Sequence, residues 1–573
     1  MDEHGGAAAH PHSHYPWYTN EGKRAGLRGF LTSTNHKRIG TLYLVPVLSF
    51  FTVAVILGVL MRIQMLSPDS KFLTGRLYNQ IFTLHGVIMV FLVVIPAIPT
   101  IFGNFFLPIL IGGKDMAFPR LNLFTWYLYI LGAVILLVSL LTGKGPADTG
   151  WTFYVPYSLR TTVNVPFAVF GVFILGMSSI LTGLNIVTTV HMERAPGMKF
   201  SRLPLSIWGI YATAWVQVLA TPVIGITMVL ILIERIFGIG VFDPTKGGDP
   251  LLYQHLFWIY SHPAVYIMIL PAMGIISDVI PVFSRKNIFG YKTIAFSSLA
   301  IASVGSLVWG HHMYVSGQSD TAGIVFSLLT FLVAVPSAIK VFNWVATLYK
   351  GSIRMDPPFL YALGFIALFS IGGLTGLILG ALSTDVHTHD TYFVVGHFHY
   401  VIFGGMGFGL FAALHYWFPK MFGRMYNQKT AVVAFLILFV GFNIFYMTLL
   451  ILGWAGMPRR YYSYLPQFTD LQRIATYGSW IMVAGLALMF GNLLHGLWRG
   501  KKAEANPWGG ATLEWQLPSP PAEHSFAETP VITRGPYVFT DGDGDGHGDG
   551  HGDGHGDGHG KKESHEQQSQ HKR

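Results

Sequence analysis

From Ile39 to Trp498 the chain is a succession of apolar stretches separated by short polar turns rich in Gly and Pro. Each stretch is long enough to cross roughly 30 Å of hydrocarbon as a helix rising 1.5 Å per residue. About twelve spans are expected, near 40–62, 79–111, 120–142, 164–190, 204–233, 251–283, 290–316, 322–348, 358–383, 392–419, 430–454 and 474–498. The composition, 51% hydrophobic and only 11% charged, is too apolar for a soluble domain of 573 residues. The expected fold is an all-α polytopic membrane protein.

Three regions follow: a polar N-terminal extension over 1–30, a transmembrane domain over 31–500, and a C-terminal tail over 501–573. From about residue 541 the tail alternates Asp-Gly and His-Gly, a composition that cannot bury a core and is expected to be disordered. Its histidines, with His4, His10, His12 and His14, read as solvated spacer sooner than as a loose copper or zinc site. Lys23, Arg24, Arg28, Lys37 and Arg38 precede the first span, alternate loops are basic (Lys114 and Arg120; Arg194, Lys199 and Arg202), and Arg499, Lys501 and Lys502 follow the last. This bias puts both termini on the cytoplasmic side of a bacterial inner membrane. The net charge of +9 reflects that topology, not nucleic-acid binding, and no cleavable signal is needed.

There is no cysteine. A disulfide framework, an iron–sulfur cluster, a thiolate-bridged dinuclear copper centre and a covalently attached c-type haem are therefore excluded from this chain, and any such centre must sit on a partner.

The run His389-Asp390-Thr391-Tyr392-Phe393-Val394-Val395-Gly396-His397-Phe398-His399 carries the chemistry. Residues two apart on a helix point about 200° apart, so His397 and His399 face opposite sides and can each hold a different metal. Neutral imidazole is an axial ligand of haem iron. An ionisable group within a span costs roughly 2.5–3.5 kcal/mol on insertion scales, which makes each one a functional candidate. The others are His85, His262 and the adjacent His311 and His312. Six histidines on four spans suit two haems, one closed by two ligands and one open, and a three-histidine copper. Tyr266 lies four residues after His262, on the same helical face. Splitting O2 takes four electrons where iron and copper supply three, and a phenol can furnish the fourth with a proton.

With Ser33-Thr34-Asn35-His36-Lys37, Phe102-Gly103-Asn104, Asp115-Met116-Ala117-Phe118-Pro119-Arg120 and Met457-Pro458-Arg459-Arg460, these motifs make residues 30–500 resemble subunit I of the A-type haem–copper oxygen reductases, the cytochrome c oxidase family. The resemblance implies about twelve transmembrane helices holding two haems and one copper. It implies His85 and His399 as ligands of the low-spin haem, His397 as ligand of the oxygen-binding haem, and His262, His311 and His312 as copper ligands, with Tyr266 joined to His262. His262 and Tyr266 are then the catalytic pair. It further implies magnesium at His389 and Asp390, haem propionates held by Arg459 and Arg460, and Arg62 against the formyl group of a low-spin haem A.

One departure stands out. Family members commonly carry Glu two residues after the first copper ligand, where this chain has Ala264. Tyr260 lies one turn earlier on the same face with Ser261 beside it, and the Tyr-Ser-His-Pro run is similar to the subset of A-type oxidases in which these hydroxyls replace the carboxylate. The resemblance implies a first proton pathway through Asp115, Asn104, Asn122, Ser178, Ser179 and Asn185, and a second through Lys340, Ser337, Ser277 and Tyr266, with Ser337 where Thr is usual.

The implied activity is reduction of O2 to water coupled to proton pumping. Electrons would come from cytochrome c or another periplasmic carrier through a subunit II bearing dinuclear copper, alongside subunit III, other oxidase subunits and membrane lipid. A quinol oxidase would share these motifs; Tyr266 and Asp115 count against a nitric oxide reductase, and the three-histidine copper set against a haem carrier. His191, His255, His415 and His495 read as hydrated residues at span ends, and Glu234 with Arg235 as a solvated pair.

Overall fold

A computed structural model describes residues 18 and 26–539; the Asp/Gly/His repeat and His4, His10, His12 and His14 lie outside them. Eleven helices among the described residues are long and apolar enough to cross a membrane. They are α1 (His36–Gln64), α2 (Gly75–Leu110), α3 (Pro119–Leu141), α4 (Val165–Met192), α5 (Leu205–Phe237) and α6 (Pro250–Ser284), then, beyond a shorter helix α7 (Tyr291–Gly305), α8 (Asp320–Leu348), α9 (Pro357–Gly380), α10 (Tyr392–Phe422), α11 (Gln428–Trp454) and α12 (Pro466–Arg499).

The expected span 290–316 is thus not one helix. After α7 the chain turns through Ser306–Val308 into a 3₁₀ segment, Trp309–Met313. The break has a use, since it carries His311 and His312 out of helical register, with their ring centroids 4.4 Å apart.

Burial sorts the spans. In α6, α10 and α2 the most apolar windows are 89, 83 and 67% buried, the highest shares in the molecule, and these helices carry His262, His397, His399 and His85. Within α2, π-helical turns over Ile88–Val94 and Ala97–Gly103 follow His85, and in α10 a π turn over Ile402–Gly407 follows His399. Such turns shift the side-chain register of a long helix and frequently mark functional sites.

Residues 501–539 lie against one end of the bundle. Arg424–Met425 (β1) pairs antiparallel with Lys501–Lys502 (β2). Trp508 and Trp515 donate to the Tyr416 carbonyl and hydroxyl at 2.8 and 2.7 Å, and Lys420 donates to the Leu517 carbonyl at 2.6 Å. Glu514 is buried there, and burial pushes its carboxyl up to about 7.

Candidate metal centre

His262, on α6, and His311 and His312, on the 3₁₀ segment, each present a nitrogen such that all three lie within 4.8 Å of one another. His262 Nδ1 stands 3.0 Å from His312 Nε2. His311 Nδ1 meets Thr330 Oγ1 at 2.8 Å, and that hydroxyl donates its own hydrogen to the Phe326 carbonyl at 2.6 Å. Nδ1 must therefore be the donor, which leaves the lone pair on His311 Nε2. Three neutral imidazoles converging in an apolar interior fit a copper ion. Trp258 stacks flat on His312 at 3.7 Å and is itself held by donation to the Tyr154 hydroxyl at 2.6 Å. His262 Nε2 has no hydrogen-bond partner, and the Tyr266 ring centroid lies 4.9 Å from that of His262.

The remaining histidines are tethered in the same way. His85 Nδ1 donates to the Ala54 carbonyl at 2.8 Å and His399 Nδ1 to the Val395 carbonyl at 2.9 Å. His397 Nδ1 is 3.0 Å from Thr375 Oγ1, whose hydrogen goes to the Ile371 and Gly372 carbonyls. In all three the Nε2 lone pair is left for a metal, in rings whose orientation is fixed. His397 packs beside Gly376 on α9 while His399 stacks on Tyr446 of α11 at 4.4 Å, so the two do occupy opposite faces of α10. His399 lies near His85, and His397 near His311.

The arginines surround these sites. Arg62 is buried; its Nη2 donates to Gln472 and Thr476 at 2.8–2.9 Å, while its Nε has no partner. That orphaned donor suits an oxygen of a bound group. Arg459 holds Asp390, Nε to Oδ1 at 2.7 Å. Arg460 forms no ion pair among the described residues and lies over the Phe82 ring at 5.9 Å; burial and then the neighbouring Arg459 bring its guanidinium down to about 10. An unpaired guanidinium next to a second one fits an anionic group. His389 Nδ1 lies 3.0 Å from Asp385 Oδ2, and its Nε2 is 4.0 Å from Asp390 Oδ2. Asp385, which meets the His389 ring at Nδ1, on the edge away from Asp390, was not among the residues picked out from sequence.

The polar residues expected on the first pathway sit on three helices and a loop: Asn104 on α2, Asn122 on α3, Ser178, Ser179 and Asn185 on α4, and Asp115 before α3. Asp115 lies in the loop before α3, where burial raises its carboxyl to about 6, against the pull of the Met116 amide and Lys37. Asn185 ties that loop to α4 through both the amide and the carbonyl of Phe118, at 3.0 and 3.2 Å. Asn104 bonds the Thr100 carbonyl, and Ser178 the Thr125 carbonyl. Asn122 Nδ2, Ser179 Oγ and, on α6, Ser261 Oγ have no partner. In the second group, Lys340 Nζ donates to Ser298 Oγ at 2.7 Å and to the Ile294 carbonyl at 2.9 Å, not to Ser277 or Ser337. Ser277 instead accepts from Trp344, and Ser337 donates to Val333. Ser298 was not among the residues picked out from sequence; its tie to Lys340 joins positions 42 apart.

Two expectations are corrected. His415 is fully buried, not hydrated, stacked on Tyr361 at 4.7 Å with Nε2 unpartnered. Glu234 and Arg235 are not a solvated pair: Glu234 is buried and accepts the amides of Phe242 and Asp243, while Arg235 donates to the Ser158, Thr161 and Val163 carbonyls. Adjacent helical residues point 100° apart, so each serves a different loop.

Comparison with known proteins places these features. The family described as "Cytochrome C and Quinol oxidase polypeptide I" matches residues 38–487. A cytochrome c oxidase subunit 1 of Thermostichus vulcanus is 43% identical over 511 residues, covering 89% of this chain and 92% of that protein. The corresponding subunit of Cereibacter sphaeroides is 39% identical over 563 residues, 91% and 98% of the two chains. Among solved structures, a heme-copper terminal oxidase dimer determined by cryo-EM shares the fold at a TM-score of 0.69 and 22% identity, over 83% of this chain and 85% of that one.

Proposed function

The chain belongs to the haem–copper oxidase family as a cytochrome c oxidase subunit 1, and from that premise we propose how its residues divide the work. It is an oxidoreductase, an integral membrane protein, and by its family a holder of haem and copper that works in a complex with other subunits. The observation that carries the finer reading is the convergence of His262, His311 and His312 beside Tyr266 and opposite a tethered His397.

His85 and His399 would hold the low-spin haem, and the partnerless Arg62 Nε would suit a formyl oxygen on it, the group that haem A carries. His397 holds the oxygen-binding haem, the three-histidine cluster holds copper, and Arg459 and Arg460 hold propionates. When bound, the haem iron and copper supply electrons to O2. The protein's part is to fix the rings, exclude water, and deliver protons: Tyr266, carried by α6 and packed against Gly305 of α7, gives up its phenolic hydrogen next to the site. His389 and Asp390 would hold magnesium, with Asp385 orienting the His389 ring through Nδ1.

Protons reach the centre from Asp115 by way of Asn104, Asn122, Asn185, Ser178 and Ser179 to Tyr260 and Ser261, the Tyr-Ser hydroxyls that replace the family's carboxylate. A second route runs from Lys340 through Ser298, with Ser337 and Ser277 alongside, to Tyr266. Neither Tyr260 nor Ser261 is a proton reservoir near neutral pH, since a phenol titrates near 10; they relay through water. Electrons enter from cytochrome c by way of a subunit II with dinuclear copper, since this chain has no cysteine to hold one. Both termini lie on the cytoplasmic face.

Carbon monoxide difference spectra with copper and haem analysis of the purified complex test the metal reading: an open haem with one copper per two haems is expected in this chain. Tyr260→Phe tests the relay. Slowed turnover and fewer protons ejected per electron, at unchanged haem and copper content, are expected; normal pumping would remove Tyr260 from the path. Oxidation rates with cytochrome c and with a quinol separate the two donors.

A further inference from the structure

Most buried hydroxyls in the spans spend their hydrogen on a carbonyl three or four residues back, as Thr227 does on Val223 at 2.7 Å and Ser277 on Met273 at 2.8 Å. A stripe on α5 does not. Thr213, Gln217 and Thr221 follow at intervals of four, so they share one face, and all three are buried. Thr213 Oγ1 and Gln217 Oε1 have no hydrogen-bond partner, and Thr221 Oγ1 has none beyond the Tyr260 hydroxyl it faces. Across from them, Ser179 Oγ and Thr182 Oγ1 on α4 are also without one, as is Ser261 Oγ on α6. Buried polar atoms are almost always satisfied, and where the protein supplies no partner, an internal water does.

The packing gives that water a place. Gly183 on α4 lets Gln217 come close, since a Cβ there would meet Gln217 Cβ at 3.0 Å and the Ala214 carbonyl at 2.8 Å. One end of Gln217 lines a cavity with Tyr43, Tyr129, Ser178, Ser179 and Thr182, ≈ 20 Å³ in volume. About 10–15 Å³ by this measure accommodates one water. One turn further along α5, Thr221 faces both Gly176 of α4 and the Tyr260 hydroxyl of α6. Pro222, the next residue, has no N–H to give the Val218 carbonyl, which adds an acceptor at the same level.

We propose that Gln217 and Thr221 are positioning residues of the proton relay, holding the waters that link Ser179 and Thr182 on α4 to Tyr260 and Ser261 on α6. The inference rests on the reading that the relay ends at those two hydroxyls. An amide does not titrate, so Gln217 orients a water by accepting from it and carries no proton itself. Thr221 can both accept and donate, and passes the chain on to Tyr260. The missing carboxylate is thereby replaced by a line of neutral groups that runs along a neighbouring helix.

The test uses the intact complex in vesicles, with Gln217→Leu and Thr221→Val, which keep side-chain volume and remove the polar atoms. Thr227→Val, on the same helix but satisfied internally, is the control. Oxygen consumption and protons ejected per electron are expected to fall about tenfold for Gln217→Leu, the rate equivalent of one broken link. Thr221→Ser should restore what Thr221→Val loses, and haem and copper content should not change. Wild-type turnover and pumping in both variants, with Tyr260→Phe impaired, would overturn the role of α5 and leave the relay reading standing. Wild-type behaviour of Tyr260→Phe would overturn the relay reading and this inference with it. Loss of haem or copper from both α5 variants would assign the stripe to packing and overturn the proposal.

Discussion

Gly305, the last residue of α7, offers a direct measure of how tightly Tyr266 is held. A Cβ at Gly305 would lie 2.3, 2.6 and 2.8 Å from Tyr266 Cε2, Cδ2 and Cζ. Carbon atoms rest at ~3.5 Å or more, so the ring must retreat by roughly 1.2 Å. Tyr266 cannot take up that shift freely, because it is packed against His262 with ring centroids 4.9 Å apart. A misplacement of about 1 Å at a reacting group costs on the order of a hundredfold in rate. Gly305→Ala is therefore expected to cut oxygen consumption by about two orders of magnitude while the low-spin haem spectrum stays intact, because His85 and His399 sit on other helices. The assay is turnover of the purified complex, with the reduced difference spectrum reporting assembly. Gly373→Ala is the companion, since nothing lies within 4 Å of a Cβ there, and it should behave as wild type. Turnover of Gly305→Ala within about twofold of wild type, with the spectrum intact, would refute the claim that the α7 backbone sets the position of Tyr266.

Other outcomes follow from the same contacts. His262→Ala should abolish oxygen reduction and lower copper content while the low-spin haem signal persists; loss of both haem signals at normal protein levels would contradict separate centres. Thr330→Val removes the acceptor that holds His311 Nδ1 and should weaken copper retention about 10–100-fold, read by metal analysis after mild chelation. Glu514 has a native carboxyl at about 7 against an ordinary 4.5, raised first by burial, so its contribution to docking of residues 501–539 is complete below 4.5 and is lost as pH rises through 7. That is about 3 kcal/mol: proteolysis beyond residue 500 should increase sharply between about pH 4.5 and 7, and Glu514→Gln should remove the pH dependence. Stripping partner subunits should stop turnover with cytochrome c yet leave carbon monoxide binding, and steady cytochrome c oxidation by the isolated chain would contradict an external dinuclear copper.

The membrane fold was legible because length and hydropathy are sufficient for it: eleven of the expected spans are helices of membrane-crossing length, with ends shifted by a few residues. The 290–316 segment failed for a specific reason. Gly305 and Gly310 flank the break, but isolated glycines are common in membrane spans and the apolar run continues through them. What ends α7 is tertiary: α6 carries Tyr266 against Gly305, and Phe326 of α8 occupies the space a side chain at Gly310 would need. The π turns in α2 and α10 were invisible too, because they alter the register without changing composition.

For the site, residue type and spacing picked out the six histidines, but their tautomers depend on partners far away in the chain. Thr330, Thr375 and the Ala54 carbonyl lie 19, 22 and 31 positions from the rings they hold, and a buried Thr or an ordinary carbonyl carries no signal of its own in an apolar span. Yet the four tethers share one logic. Each spends Nδ1–H on an oxygen that can only accept, or whose hydrogen is already committed, so that Nε2 is unprotonated and the ring cannot turn. His262 differs, since its Nδ1 faces His312 and its Nε2 is the orphan. His262 therefore has no backbone carbonyl on its second nitrogen, and its ring packs instead against Tyr266, with centroids 4.9 Å apart.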